Sequence, residues 1–330
     1  MNRRDFLRNI LNATMGMALV TTICPVLAQA SATKGKSLLD GMLIIDPHAH
    51  PDWMNPSSAS FRFMKEVGMA ASGYFAIGFL DPVGTIDNWM NKVVKNGHVK
   101  LVLKMSDIPA PGTETPGAIL GLEGGDALEG RVDRVDEFYK LGVRIITIVH
   151  LNNNELGGSA TGARSGGLTP KGRAVIDRMQ ELGMVVDVAH CSTATLKDVV
   201  AYCKKPVLDS HTLLCATENS CGRARTWKEM EWIASTGGVV CSCPGAWNKL
   251  TKKTILDWAN ELLDMKKKIG IEHIGIGTDS GGEMELVSGY NDVRDLTKLA
   301  EALTDVGFSR EELAAFMGKN VYRVLGKYLS

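Results

Sequence analysis

The sequence has no excess of charge of either sign, because 37 lysine and arginine residues balance 37 aspartate and glutamate residues. A chain without a basic face lacks the electrostatic footprint of a nucleic-acid-binding protein or of a protein that lies on an anionic membrane. It also has no internal repeat and no low-complexity segment, so neither a solenoid nor a long disordered region is indicated. Of the 330 residues, 45% are hydrophobic, which is enough for one sizeable core.

The first 32 residues are expected to lie outside the fold. Charged residues at positions 2–8 precede an apolar stretch at 10–27, and small residues follow at 28–30, which is the order of a signal peptide. The pair Arg3-Arg4 before Phe6 is typical of the twin-arginine type. An uncleaved anchor helix is the alternative, although the stretch is barely long enough to span a bilayer and contains polar residues and a proline. We therefore expect export by the twin-arginine (Tat) machinery to the periplasm or another exported location, and a single domain at 33–330.

Apolar runs at regular intervals predict eight strands, at 43–46, 73–79, 118–122, 144–149, 184–189, 206–209, 238–243 and 273–278. Amphipathic patterns predict helices between and after them, at 131–141, 170–182, 194–202, 227–236, 253–269 and, as two short helices, 309–328. Apolar strands that alternate with helices indicate a parallel sheet buried on both faces. The sequence thus predicts one closed (β/α)8 TIM barrel of the metal-dependent hydrolase type. A ninth apolar run at 99–105 is either a helix end or a short extra strand.

Side chains of the types that bind metals stand at the carboxyl ends of these runs. In chain order they are His48, His50, Glu123, His190, His211 and Asp279. Chemistry gathers at this rim of a barrel, because separate strands direct different side chains to one point. A lone histidine at a strand end is more often a hydrogen-bonded structural residue than a ligand, and His98 and His273 are interpreted in that way. A purely structural role for all six residues would require each of them to stand at a strand end by an independent coincidence.

The spacing of these residues indicates a metal site. His48 and His50 are two apart on an extended chain and share a face, and neutral imidazole suits zinc and related divalent ions. The carboxylate of Glu123 can bridge two cations, His190 and His211 can complete a second metal site, and Asp279 can accept a proton from water. Three further carboxylates are candidates for orienting the imidazoles, namely Asp46, Asp187 and Asp209.

Longer stretches carry a resemblance. They are AILGLEGGDAL (118–128), LGVRIITIVH (141–150), GLTPKG (167–172), LGMVVDVAHCS (182–192), PVLDSH (206–211), GRART (222–226), GGVV (237–240), HIGIGTD (273–279) and GKNVYRVL (318–325). In order and content they resemble the membrane dipeptidase (renal dipeptidase) family of zinc metallopeptidases, over nearly all of the mature chain. The resemblance implies an amidohydrolase-like barrel with two divalent metal ions, zinc being expected, that cleaves free dipeptides by attack of a metal-bridging hydroxide.

The resemblance also implies roles for individual residues. His48 and Glu123 match ligands of the first metal, and Glu123, His190 and His211 match those of the second. His150 matches a histidine that contacts the substrate and polarises the scissile carbonyl. Two arginines compete for the substrate carboxylate, Arg223 by direct match and Arg225 if the alignment slips by two. Asp279 matches the acid that handles the proton.

Two departures separate this chain from the family pattern. The first strand carries His48-Ala49-His50 where the family has His-x-Asp, which removes one negative charge from the site. The loop after His150 (151–158) lacks the tryptophan that the family often carries there. Two alternatives to the dipeptidase are another amidohydrolase-type reaction (on an N-acyl amino acid, a lactone or a cyclic amide) and a non-catalytic binding protein. The expected partner is a small dipeptide and not a nucleic acid, and the oligomeric state stays open, with a homodimer as a candidate.

Overall fold

The computed structural model of the chain describes residues 38–50, 58–162, 166–215, 222–246, 252–282 and 284–330. The predicted signal peptide lies outside the described residues. Among the helices of the described part, none combines the length and the apolar character that crossing a bilayer would require.

The described residues form nine strands of one sheet. They are β1 (Ile45–Asp46), β2 (Ala71–Ile77), β3 (Lys100–Leu101), β4 (Gly117–Glu123), β5 (Val143–Thr147), β6 (Val185–Asp187), β7 (Leu208–Thr212), β8 (Val239–Ser242) and β9 (Ile274–Ile276). Neighbours run parallel in the order β1-β2-β4-β5-β6-β7-β8-β9, and β3 pairs with β4. A parallel bridge between Ala49 and Ser280 joins the first strand to the last, and His50 N donates to Ser280 O at 2.7 Å. The predicted (β/α)8 barrel is confirmed, with the ninth apolar run as the short extra strand β3.

Ten α-helices are assigned in the described residues. They are α1 (Ser58–Glu66), α2 (Pro82–Trp89), α3 (Val132–Lys140), α4 (Pro170–Leu182), α5 (Thr193–Tyr202), α6 (Trp227–Ser235), α7 (Ile255–Ile269), α8 (Leu296–Asp305), α9 (Arg310–Ala314) and α10 (Asn320–Leu325). The predicted helices match α3 to α7 and the pair α9 and α10, whereas α1, α2 and α8 were not predicted. Four of these helices, α4 to α7, begin after a hydroxyl-bearing cap residue. Each cap side chain accepts a hydrogen bond from a backbone N–H of the first turn, which satisfies an otherwise unpaired donor. The caps are Thr169, Ser192, Thr226 and Thr254.

The buried apolar side chains form two main clusters, one inside the barrel and one between the strands and the surrounding helices. The interior cluster is formed by side chains from most of the strands, such as Ile45, Phe75 and Ile119, and residues of α10 and of the segment after it pack against them. The larger cluster lies between the strands and the surrounding helices and includes the alternate residues Leu120 and Leu122 of β4. Because side chains of a strand alternate between two faces, the last residue of β4, Glu123, shares the interior face with Ile119. A carboxylate is thereby directed into the barrel at its carboxyl end.

Candidate metal centre

Glu123 is the centre of the site. It ends β4, is 3% exposed and is followed by Gly124, whose φ is +90°. That conformation favours glycine, and a Cβ there would lie 3.0 Å from Cβ of His150. The turn after β4 therefore needs glycine both for its backbone angle and for the close approach of the chain after β5.

Five imidazole Nε2 atoms surround the Glu123 carboxylate. The Nε2–Oε1 distances are 3.0 Å for His190, 3.4 Å for His150, 3.5 Å for His211 and 3.6 Å for His48, and His50 Nε2 lies 3.2 Å from Oε2. These histidines lie on or directly after four different strands, and Glu123 ends a fifth. The barrel rim thus brings the other four predicted metal ligands and His150 to the carboxylate of Glu123.

Three groups of ligand atoms are close enough to hold a cation. They are His48, His50 and Glu123; Glu123, His190 and His211; and His48, His211 and Asp279, with the ligand atoms of each group within 4.8 Å of one another. Two of these groups share Glu123, and together they contain all five predicted ligands. The pattern of two imidazoles and one carboxylate oxygen on each side is the donor set that zinc and similar divalent ions prefer.

The protonation of the histidines fits metal binding. Burial lowers the pKa of His48 and of His211 well below the usual range, and it lowers the pKa of His190 to about 3. Burial alone would also lower the pKa of His50, but Glu123 and Asp279 raise it to about 9. Although burial acts against the charged form of Glu123, the imidazoles around it hold its pKa well below the usual value. His48, His190 and His211 are thus neutral imidazoles next to an ionised carboxylate and present the lone pairs that a cation requires, and His50 would release its proton when a cation binds.

Two residues of the site have backbone angles in the left-handed region of the Ramachandran plot. They are His190, with φ of +63°, and Asp279, with φ of +49°. Non-glycine residues adopt this region rarely, and where they do it is often at functional sites. Asp279 N donates to His48 O at 3.0 Å, which fixes the carboxylate across the seam of the barrel, and Asp279 Oδ1 lies 3.5 Å from His50 Nε2. Burial raises the pKa of Asp279 to about 7.

The two candidate arginines occupy different places. Arg223 lines the cavity above the carboxylate and donates to His211 O at 2.5 Å and to Thr212 Oγ1 at 3.4 Å. Arg225 is 1% exposed and pairs with Asp209 at 2.8 Å. The rest of its guanidinium donates to backbone carbonyls of residues 188 and 191, and it does not line the cavity. The structure therefore places Arg223 at the cavity and Arg225 in the scaffold beneath it.

The cavity has a volume of about 650 Å³. Its polar lining is the cluster around Glu123 together with Thr212, Arg223 and Glu285, and much of the remaining wall is apolar. The large apolar residues of the wall are Ile77, Phe79, Leu80, Leu151, Leu213 and Met284. Phe79, Leu80 and Leu151 are 48%, 51% and 43% exposed, and the Phe79 ring stacks on His150 with centroids 5.5 Å apart. Leu151 stands directly after His150, in the loop where the tryptophan is missing.

The carboxylates expected to orient the imidazoles do so in only one case. Asp46 accepts from the backbone of His48 and from Thr278, and Asp209 pairs with Arg225. Neither makes a hydrogen bond to an imidazole nitrogen in the part of the chain that the structure describes. Asp187 reaches two imidazoles indirectly, through Ser210. Ser210 was not predicted from the sequence, where its only signal is its place directly before His211.

Known proteins resemble this chain in sequence. The family model of membrane dipeptidases (peptidase family M19) matches residues 83–328. The dipeptidase verJ of Clonostachys rogersoniana is 32% identical over 214 residues, which cover 63% of this chain and 54% of that protein. The chain thus spans about half the length of the curated relatives it matches.

Solved structures share the fold. An amidohydrolase from Pseudomonas aeruginosa superposes with a TM-score of 0.81 at 25% identity, covering 90% of this chain and 99% of that one. A metallopeptidase from Rhodobacter sphaeroides, solved with a phosphinate mimic of the dipeptide L-Ala-D-Ala, superposes with a TM-score of 0.76 at 17% identity, covering 88% of this chain and all of that one. At 17% identity, the similarity to the Rhodobacter sphaeroides structure shows a shared fold alone.

Proposed function

Because the chain belongs to the membrane dipeptidase family, peptidase family M19, we propose that it is a metal-dependent dipeptidase that hydrolyses the peptide bond of free dipeptides. The observation that carries the proposal is the position of Glu123, whose carboxylate lies between two pairs of imidazoles at the floor of a cavity. A carboxylate in that position can bridge two cations, which is the arrangement of two-metal hydrolases.

The two pairs of imidazoles would hold one divalent ion each. His48 and His50 would bind the first ion, His190 and His211 the second, and Glu123 both, with zinc as the expected metal. Such ions supply Lewis acidity, which acidifies water and polarises a carbonyl oxygen. His50 stands where the family pattern has an aspartate. The metal ligands of this chain therefore carry one negative charge less.

The remaining polar residues of the cavity would act on the substrate. The Asp279 carboxylate, held at the seam next to both histidines of β1, is placed to take a proton from water and to deliver it to the leaving amine. His150 is neutral, since burial lowers its pKa, and its Nε2 can donate to the oxygen of the scissile carbonyl. Arg223 would bind the free carboxylate of the dipeptide by a two-pronged contact, which limits the length of the substrate.

The apolar wall points to the side chains of the substrate. Burying one apolar side chain contributes about 1.5–3 kcal/mol, and Phe79, Leu80 and Leu151 are exposed apolar surface at this cavity. We expect dipeptides with apolar side chains to be cleaved in preference to dipeptides with charged side chains. No lysine, and no arginine other than Arg223, lines the cavity in the described residues.

A second candidate, hydrolysis of an N-acyl amino acid, a lactone or a cyclic amide, is favoured by the His48-Ala49-His50 motif, which departs from the family pattern. The likeness to the Pseudomonas aeruginosa amidohydrolase is compatible with both. Arg223 at the cavity favours the dipeptidase, because a free dipeptide presents a carboxylate one residue past the scissile bond.

We further propose export by the twin-arginine route, on the basis of residues 2–30 of the sequence.

Metal analysis and hydrolysis assays on one preparation would test the proposal. Protein purified without chelator is expected to contain about two divalent ions per chain and to cleave members of a panel of L,L and L,D dipeptides. N-acyl amino acids and lactones are assayed in parallel, and His98→Gln, outside the cavity, controls for histidine loss. Cleavage of the acyl or lactone panel alone would favour the second candidate, and at most one ion per chain would contradict the two-metal centre.

A further inference from the structure

We propose that Ser210 is a positioning residue that orients one imidazole of each metal site and so couples the two sites. The inference rests on the metal centre of the proposed function, but it concerns a side chain that neither binds a metal nor touches the substrate. Its basis is the convergence of two histidine rings on one buried hydroxyl.

The contacts of Ser210 define its place. It lies on β7 beside His211 and is completely buried. Its Oγ lies 3.1 Å from His48 Nδ1 and 3.0 Å from His211 Nδ1, and it donates to Asp187 Oδ2 at 2.6 Å. The centroids of the His48 and His211 rings lie 3.8 Å apart, and the ring planes are tilted by 33°. One hydroxyl thus touches a ligand from each of the two groups that share Glu123.

The hydroxyl has a single hydrogen, and the geometry decides where it goes. The Asp187 carboxylate already accepts from Thr147 Oγ1 at 2.7 Å and from the backbone N–H groups of Ala189 and Ser210, both at 3.0 Å. The Asp187 carboxylate also accepts the hydroxyl hydrogen of Ser210, and at 2.6 Å this is the shortest of its four hydrogen bonds. The two lone pairs of Oγ then remain to accept hydrogen bonds.

The consequence for the imidazoles is the same in both sites. If Oγ only accepts from the rings, His48 and His211 must each carry their hydrogen on Nδ1. Their Nε2 atoms then carry lone pairs, and these are the atoms that lie 3.6 Å and 3.5 Å from Glu123 Oε1. A ring bonded through one nitrogen to a fixed acceptor keeps its tautomer and its orientation toward a metal. Ser210 therefore sets the ligand form of both rings at once.

The position of the hydroxyl is itself fixed. A Cβ added to Gly277 would lie 1.8 Å from Ser210 O, so the β7 backbone is packed tightly against the residue that follows β9. The other two ligand histidines do not depend on Ser210. His50 Nδ1 bonds to Phe75 O at 2.9 Å, and His190 Nδ1 has no hydrogen-bond partner in the described part of the chain. The effect of removing the hydroxyl should therefore be confined to His48 and His211.

The first test is the metal affinity of Ser210→Ala. Competition with a chromophoric zinc chelator gives the dissociation constant of each ion, and loss of an outer partner of a ligand typically weakens metal binding by about 10- to 100-fold. We expect both ions to be weakened in that range. The matched control is Ser72→Ala, which removes another buried serine hydroxyl of the barrel. Within the described residues that hydroxyl donates to Gly73 O, and its loss should leave both constants unchanged. Weakening of one ion alone, or of neither, would overturn the coupling.

The second test reports on the rings and needs no turnover. In protein labelled with ¹⁵N-histidine, the Nδ1–H signals of His48 and His211 are expected to shift together in Ser210→Ala, while that of His50 stays in place. Asp187→Asn, which keeps the hydroxyl but removes the acceptor of its hydrogen, should shift the same two signals. If the wild type binds no divalent ion, the proposed function fails, and the ring signals still decide the positioning role. Unshifted His48 and His211 signals in both variants would refute it.

Discussion

The loss of the Arg223 guanidinium is the sharpest test of the substrate class. Arg223 is 6% exposed and already donates to His211 O and Thr212 Oγ1. A guanidinium has five N–H donors, so about three remain for a ligand in the cavity. A free dipeptide offers a carboxylate to those donors, whereas an amidated dipeptide offers a neutral amide.

The magnitude follows from the charge of that contact. A hydrogen bond to a charged group contributes about 1.5–3 kcal/mol, and each 1.4 kcal/mol is about tenfold in an equilibrium or rate ratio. Arg223→Ala should therefore lower kcat/KM on a free dipeptide by about 10- to 150-fold. The bond to His211 O is lost for every substrate, so that part of the effect is common to both. The ratio of free to amidated dipeptide isolates the carboxylate contact, and it should fall by about tenfold.

The assay compares kcat/KM of the wild type and three variants on one dipeptide and its amide. Arg223→Lys keeps the charge but loses the planar fork, and it should retain part of the preference for the free form. Arg62→Ala removes an exposed arginine that pairs with Glu66 outside the cavity and should match the wild type. If Arg223→Ala lowers both rates equally and leaves the ratio unchanged, Arg223 does not bind the substrate carboxylate.

Three further predictions address the metals, the scaffold and export. Glu123→Gln should lose metal and abolish turnover while circular dichroism shows a folded barrel; full metal content with a near-normal rate would mean that the bridging residue is misassigned. Arg225→Ala leaves buried Asp209 unpaired and should cost about 3–5 kcal/mol of unfolding free energy in denaturant titrations, whereas an unchanged midpoint would contradict a scaffold role. Replacing Arg3-Arg4 by Lys-Lys should abolish export in a fractionation assay, and normal export would indicate the general secretory route.

The secondary structure shows how far local patterns reach. The eight barrel strands were predictable because each is an apolar run bounded by polar residues, and five major helices were predictable from their amphipathic spacing. Helices α1, α2 and α8 escaped prediction, although α2 has a proline in its first turn and Asp81 as its cap. Its buried residues are few, namely Pro82, Ile86 and Trp89, so its apolar pattern is too short to stand out from a loop.

The arginine pair marks the limit of the sequence. Arg223 and Arg225 are two apart in one motif, and nothing in their spacing says which of them meets a ligand. In the structure, Arg225 is held by Asp209 and by carbonyls of the chain around β6 and its carboxyl end. Those partners are 16 or more residues away in sequence, so the assignment depends on how β6, β7 and the segment after β7 pack together.

The sequence by itself determined the barrel and the ligand types at its rim, because parallel strands direct the residues at their carboxyl ends to one edge whatever the details of packing. The alternation along β4 also placed Glu123 on the interior face. Only the tertiary structure decided that His48 and His211 share the hydroxyl of Ser210, since Ser210 lies 162 residues after His48 in the sequence. Contacts of this kind are set by the closure of the barrel and by the stagger of its strands, which no local pattern encodes.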